Sequence, residues 1–248
     1  MNRNRRHLLR AALLAGLPVL PSAAHDAPLT LVVIDQMPWA GHDAAGRLRG
    51  VAIDLARQLS SLTGRPIVPR AVPYARAVAM LTSGGADLMM AIDASTRHDL
   101  PPPLASLGTE DIILLGRPGA GYARLDDLCG RKVGLLRSAS FSSALRVLSC
   151  LQRYEINSYE QGLRMLRQGR LDAIAGVRAT TDFAIRHLAL RQDDFGPLLV
   201  AGQADIVLYL APHAATPTLA ASLRQACAQL LREKQIPALL AQYRHLPD

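Results

Sequence analysis

Hydrophobic residues in this chain fall into short continuous runs separated by amphipathic stretches. Residues 29–35 form an apolar run ending in a carboxylate, the pattern of a central parallel strand buried on both faces. Residues 50–62 set Val51, Leu55, Leu59 and Leu62 on one helical face, with Gly64 as the stop. Residues 67–72 predict the next strand. Pro73 and Tyr74 then open a helix that Gly84-Gly85 ends, and residues 86–92 are a third strand. Residues 93–106 are polar and proline-rich, which predicts loop, and 110–117 is a further strand.

The pattern then starts again. A strand at 130–136, a helix at 140–151, a strand at 153–157, a helix from Tyr159, a strand at 171–177, a helix at 179–190 and a strand at 197–201 follow in order. Within this second set Tyr159 to Asp172 repeats Tyr74 to Asp87: Tyr, three residues, an aliphatic, one residue, Met-Leu, two residues, Gly, two residues, Asp. A repeated helix, glycine stop and buried strand predict two similar α/β lobes enclosing a cleft. Asp111-Ile112-Ile113-Leu114-Leu115 is echoed by Asp205-Ile206-Val207-Leu208-Tyr209 in a strand at 204–212, and after it come only helices, 216–233 and 236–245. The chain is therefore expected to cross between lobes near 112 and to return near 206, and paired crossings make a hinge. Lobe one is read as 25–112 with 206–248, and lobe two as 113–205.

Composition narrows the function classes. The formal charge is +8, but Arg3, Arg5, Arg6 and Arg10 precede the first acidic residue, Asp26; without them 24 basic residues face 20 acidic ones. Aromatics make up 4% and no basic run is interleaved with them, so neither a base-stacking platform nor a phosphate-tracking stripe is expected. The basic start, an apolar run at 11–20 and the small residues Ser22 and Ala24 predict a secretory signal over 1–24, cut after Ala24. The apolar run is about half the length of a membrane span. Asn4-Arg5-Arg6-His7-Leu8-Leu9-Arg10 also resembles a twin-arginine export motif, and the ordinary secretory route stays open.

Export places the three cysteines in an oxidising compartment. Cys129 opens a strand and Cys150 closes the helix that returns antiparallel to it, so the two meet at one edge and are expected to form a disulfide. Closing a loop of that size is worth about 3 kcal/mol in the chain-entropy model. Cys227 is read as a buried thiol in the C-terminal helix. No histidine or further cysteine stands at metal-ligand spacing, so neither a zinc site nor a cofactor is expected.

Several segments resemble the extracellular solute-binding proteins of family 3, the type II periplasmic binding fold that serves uptake transporters. Gly50-Val51-Ala52-Ile53-Asp54-Leu55-Ala56 is similar to the family's G-x-x-x-D-L-A, and Pro73-Tyr74-Ala75-Arg76-Ala77 with Leu81-Thr82-Ser83-Gly84-Gly85-Ala86-Asp87 to its P-[WY]-x-R-A and L-x-x-G-x-x-D. Residues 125–134 resemble the D-L-x-G-K-x-V-G entry to lobe two, and Gly169-Arg170-Leu171-Asp172-Ala173 matches G-x-x-D-A. The resemblance covers almost the whole mature chain. It implies a two-lobed α/β protein in the periplasm, each lobe a mostly parallel sheet flanked by helices. It further implies a monomer that hands a small solute to the membrane permease of an ABC transporter, without catalysis or nucleic acid.

In amino-acid-binding members an arginine after lobe one's third strand holds the ligand carboxylate. Arg97 matches it, and a guanidinium fork suits that task; the alternative is a solvated loop arginine. Lobe two is expected to offer the turn Arg137-Ser138-Ala139-Ser140 to the same anion, although the family's glycine is missing there. Where the family carries an acid for the ligand ammonium, this chain has Val177-Arg178. An anionic or neutral polar ligand is implied, with Arg178 near it, unless Asp35, Asp93 or Asp182 reaches the cleft.

Trp39 follows the first strand and either touches ligand or lids the core of lobe one. Tyr74 and Arg76 begin a helix near the same edge, and Ser138, Ser140 and Phe141 complete the candidates, whereas Asp87 and Asp172 start their strands at the opposite edge and are read as structural. An enzyme on this fold, such as a dehydratase, would need a carboxylate of raised pKa beside substrate. The glutamates are only Glu110, Glu155, Glu160 and Glu233, with Glu110 at the hinge. A periplasmic accessory or sensory module is the remaining alternative.

Overall fold

The computed structural model describes residues 27–93, 99–137 and 149–243. The chain opens with β1 (Leu29–Ile34), a small ribbon of β2 (Gly41–His42) and β3 (Leu48–Arg49), α1 (Val51–Thr63), β4 (Ile67–Val72), α2 (Tyr74–Ser83) and β5 (Leu88–Ile92). Next comes β6 (Ala105–Gly116), then β7 (Lys132–Leu136), β8 (Gln152–Ile156), α3 (Tyr159–Arg167), β9 (Ala173–Val177), α4 (Arg178–His187), β10 (Leu198–Leu210), α5 (Pro217–Arg232) and α6 (Gln235–Tyr243).

Eight strands form one sheet in the order β4-β1-β5-β10-β6-β9-β7-β8. Its two ends are parallel wings with the same internal order: β1 lies between β4 and β5, and β7 lies between β8 and β9. The antiparallel pair β6 and β10 joins them, β10 pairing with β5 and β6 with β9. The fold is thus the two-lobed α/β architecture that the repeat implied.

Each wing is buried on both faces because its central strands are apolar at successive positions. Leu29, Leu31 and Val33 of β1 pack with α1, α5 and α6, while Val32 faces the cluster beneath α2. The second wing has a similar pair of cores. The two repeat aspartates lock the strand starts identically. Asp87 Oδ2 accepts from Thr30 N at 2.8 Å, and Asp172 Oδ2 accepts from Lys132 N at 2.9 Å. Their own amides donate back to the Thr30 and Lys132 carbonyls.

Three expectations need correcting. Residues 105 and 106, read as loop, already belong to β6, and the two strands expected at 197–201 and 204–212 are the single strand β10. The register of β10 shifts between Val200 and Gly202 and again between Ile206 and Val207, which breaks its alternation into two apparent strands. Leu62 is 39% exposed and stands outside the α1 core face. Cys129 and Cys150 are bonded, with their Cα atoms 4.8 Å apart. The helix expected at 140–151 falls largely outside the described residues.

Candidate functional site

The carboxyl ends of β1, β5, β7 and β9 converge on one cleft, as the ends of parallel strands do in ligand-binding sheets. Its floor is a cavity of about 100 Å³. The first wing lines it with Val33, Met90, Ala91 and Ile92, and the second with Leu136 and Val177. A wider outer compartment of about 710 Å³ adjoins it, and Ile34, Gln36, Tyr74, Leu136 and Arg137 line both.

Trp39 sits where the wings meet. Val51 N and Ala52 N, in the first turn of α1, donate to the carbonyls of Pro38 and Trp39, each at 2.9 Å, which fixes the loop after β1. The indole Nε1 then donates across the seam to Thr180 Oγ1 on α4 at 3.2 Å. Trp39 packs on the core of the first wing and also lines the cavity. Tyr74 stands at the start of α2 and faces both compartments.

The other candidates separate. Arg76 is exposed and lines neither compartment. The Nε of Arg178 lies 3.1 Å from Asp111 Oδ2, and Arg178 lines a different cavity of about 30 Å³ at the hinge, with Glu110, Asp182 and Tyr243. Arg97, Ser138, Ser140 and Phe141 lie outside the described residues. Arg137, from the same turn, is the cation that lines the inner cavity among the described residues, and Arg49 lines the outer compartment; the Arg137 amide donates to Ile156 O at 2.9 Å, and its Nε is 3.2 Å from Glu155 Oε2. Gln36 and Thr180 line the floor without having been singled out in the sequence, where isolated polar residues beside strand ends carry no motif.

Among the described residues no carboxylate lines the inner cavity. Asp35, Asp43 and Glu160 line only the outer compartment. Asp43 is held below the usual carboxylate range mainly by the Arg47 amide, which donates to it beside Ala45 N and the Arg47 side chain. Asp93 accepts from Tyr209 Oη at 3.2 Å and lines neither compartment. At the hinge, burial pushes the Glu110 carboxyl up, although Ala179 N donates to it at 3.1 Å. Burial likewise raises the Cys227 thiol to about 12, leaving it inert as a nucleophile.

No family model and no curated protein matches the sequence. Solved structures do match. A histidine kinase sensor domain with similarity to periplasmic binding proteins superposes with a TM-score of 0.72 at 19% identity, covering 89% of this chain and 97% of that one. The type II periplasmic binding fold is shown. The Bordetella pertussis BvgS periplasmic VFT2 domain shares it with a TM-score of 0.71, 16% identity and coverage of 88% and 93%. So does the substrate binding protein of an amino acid ABC transporter, with a TM-score of 0.67, 13% identity and coverage of 88% and 99%. No helix of the described residues is long and apolar enough to cross a membrane.

Proposed function

We propose that this protein is a periplasmic solute-binding protein. It captures a small polar or anionic solute between two lobes, 25–112 with 206–248 and 113–205, and delivers it as a monomer to the permease of an ABC-type uptake transporter. The observation that carries the reading is the cavity at the converging strand ends, walled by both wings and bridged by the Trp39–Thr180 hydrogen bond. A solute touching both walls stabilises the closed arrangement by its greater affinity for it, and no covalent chemistry is needed. Trp39 and Tyr74 contact the solute from one lobe and the turn beginning at Arg137 from the other, while Arg97 binds its anionic end. The half-buried Glu110 serves the hinge, where it accepts from Ala179 N, and not a reaction.

Sensing is the second reading, favoured by the histidine kinase sensor domain among the similar structures. In it the same closure is read by a membrane partner. Both readings pass the same first test, a thermal-shift screen of the mature protein against organic acids, amino acids, polyamines and oligosaccharides. A solute at 100 times its dissociation constant is expected to add about 2.7 kcal/mol of stability. Arg97→Ala is expected to remove most of that gain while leaving the ligand-free melting temperature unchanged. A screen in which no solute raises the melting temperature overturns the proposal, and an unaltered response of Arg97→Ala overturns that residue's role.

A further inference from the structure

From the cleft proposed above as the binding site, we infer that the solute is a small monocarboxylate with a branched or aromatic hydrocarbon body and no ammonium group. Its body fills the inner cavity, and the carboxylate assigned above to Arg97 also meets Arg137.

The floor explains the body. Val33, Met90, Ala91, Ile92, Val177 and Ile206 surround about 100 Å³, somewhat below the roughly 150 Å³ of a cavity known to take benzene. An apolar body of about four to six carbons matches that space. A sugar or polyamine would have to bury hydroxyls or ammonium groups against this wall without enough partners. The few polar groups there are committed in part already: Trp39 Nε1 to Thr180 Oγ1, and Thr180 is itself buried.

The distribution of charge explains the head. Arg137 lines the junction of the two compartments on a backbone anchored to β8, so its guanidinium stands where a carboxylate would emerge from the floor. Its partner Glu155 lines neither compartment, and the pair is 65% and 67% exposed. So solvated a pair contributes little and is readily exchanged for a bidentate ligand carboxylate. An α-ammonium would sit within two bonds of that carboxylate, at the edge of an inner cavity that no described carboxylate lines. Asp35 and Glu160 line only the outer compartment, and Asp43 there is already satisfied by Arg47 and Ala45.

The test uses matched probes on the mature protein: 4-methylpentanoate against leucine, 3-phenylpropanoate against phenylalanine, and 4-methylpentanamide as the uncharged control. Trp39 is the only tryptophan, so its emission reports filling of the cavity directly. The carboxylates are expected to bind at least tenfold more tightly than their amino-acid counterparts. Arg137→Gln is expected to weaken the carboxylates at least tenfold and leave the amide unchanged. An amino acid that binds as tightly as its deaminated partner overturns the inference, as does an Arg137→Gln variant with unaltered carboxylate affinity. Binding of polyamines or oligosaccharides with no carboxylate response also overturns it while leaving the cleft reading intact. A chain in which no probe moves either Trp39 emission or the melting temperature contradicts both.

Discussion

Tyr159 and Tyr74 occupy the same place in the internal repeat and have opposite fates. Tyr159 is 1% exposed, and its ring lies over Gly176, where a Cβ would come within 2.1 Å of Cε1. Its hydroxyl accepts from Val177 N at 3.3 Å, and burial raises its pKa well above the usual phenol value. Ala91 stands at the matching position of the first wing and carries the methyl that Gly176 lacks. Tyr74 therefore has no equivalent seat and lines the cleft instead. Gly50 constrains the site similarly: at φ 138°, a Cβ there would lie 2.2 Å from the Trp39 carbonyl oxygen. Gly50→Ala is expected to cost about 2–4 kcal/mol in chemical denaturation and to shift Trp39 emission, because the loop must move. Gly176→Ala is expected to destabilise comparably without that shift. Unchanged Trp39 emission in Gly50→Ala would show that the glycine does not position the indole.

At the scale of elements, the joint between β6, α4 and α6 sets the hinge. Glu110 of β6 accepts from the first turn of α4, Arg178 of α4 pairs back to Asp111 of β6, and Tyr243 of α6 lines the same small cavity. Tyr243 Oη also accepts from Gly50 N at 2.8 Å and donates to Asp54 at 2.9 Å, tying the C-terminal helix to α1; burial pushes its pKa up to about 12. The raised Glu110 pKa has a definite sign. Its cause is first burial, then Asp111 and Asp182, opposed by the Ala179 amide and Arg178. The folded state holds this proton more tightly than the unfolded one, whose value is near 4.5. Stability from this group is full below that value and is lost as pH rises through the folded pKa. Glu110→Gln keeps the acceptor and removes the titration. Its stability relative to wild type is expected to rise with pH between about 4 and 8, and a difference constant across that range contradicts the assignment.

How much of this was legible depends on how local each signal is. β4 was read to the residue and β1 to within one, because each is a short, mostly apolar segment with a clear break beside it, β4 between Pro66 and Pro73 and β1 ahead of Asp35. β10 was read as two strands because its bulges disturb the alternation, and only its long pairing with β6 makes it one. The Cys129–Cys150 bond was expected from a helix closing at Cys150; among the described residues Cys150 stands in the turn before β8, and because β7 and β8 run parallel the two cysteines meet at the strand starts. The site was less legible. Tyr74 and Trp39 followed from their place after strand ends, but Arg178 shares its turn with Thr180 and points to the hinge. Which of two neighbours faces the cleft is decided by α4's rotation, which sequence spacing at a helix start does not specify.

At the scale of the whole molecule, two wings of like order are joined through β6 and β10 into one sheet, and the cleft lies where their parallel strands end. The repeat makes the architecture nearly symmetric, and the cleft is where the symmetry fails. The first wing supplies Trp39, Tyr74 and most of the apolar floor, whereas the second supplies Arg137, Val177 and Thr180. On the proposed reading, ligand recognition belongs to neither lobe alone, because residues of both wings line the cavity. A crystal structure of the mature protein with its tightest-binding solute tests this most directly. The account predicts the solute between Trp39 and Tyr74 on one side and Arg137 and Thr180 on the other. A solute bound at the Glu110–Arg178 cavity or on an outer face, with the cleft unfilled, would contradict it.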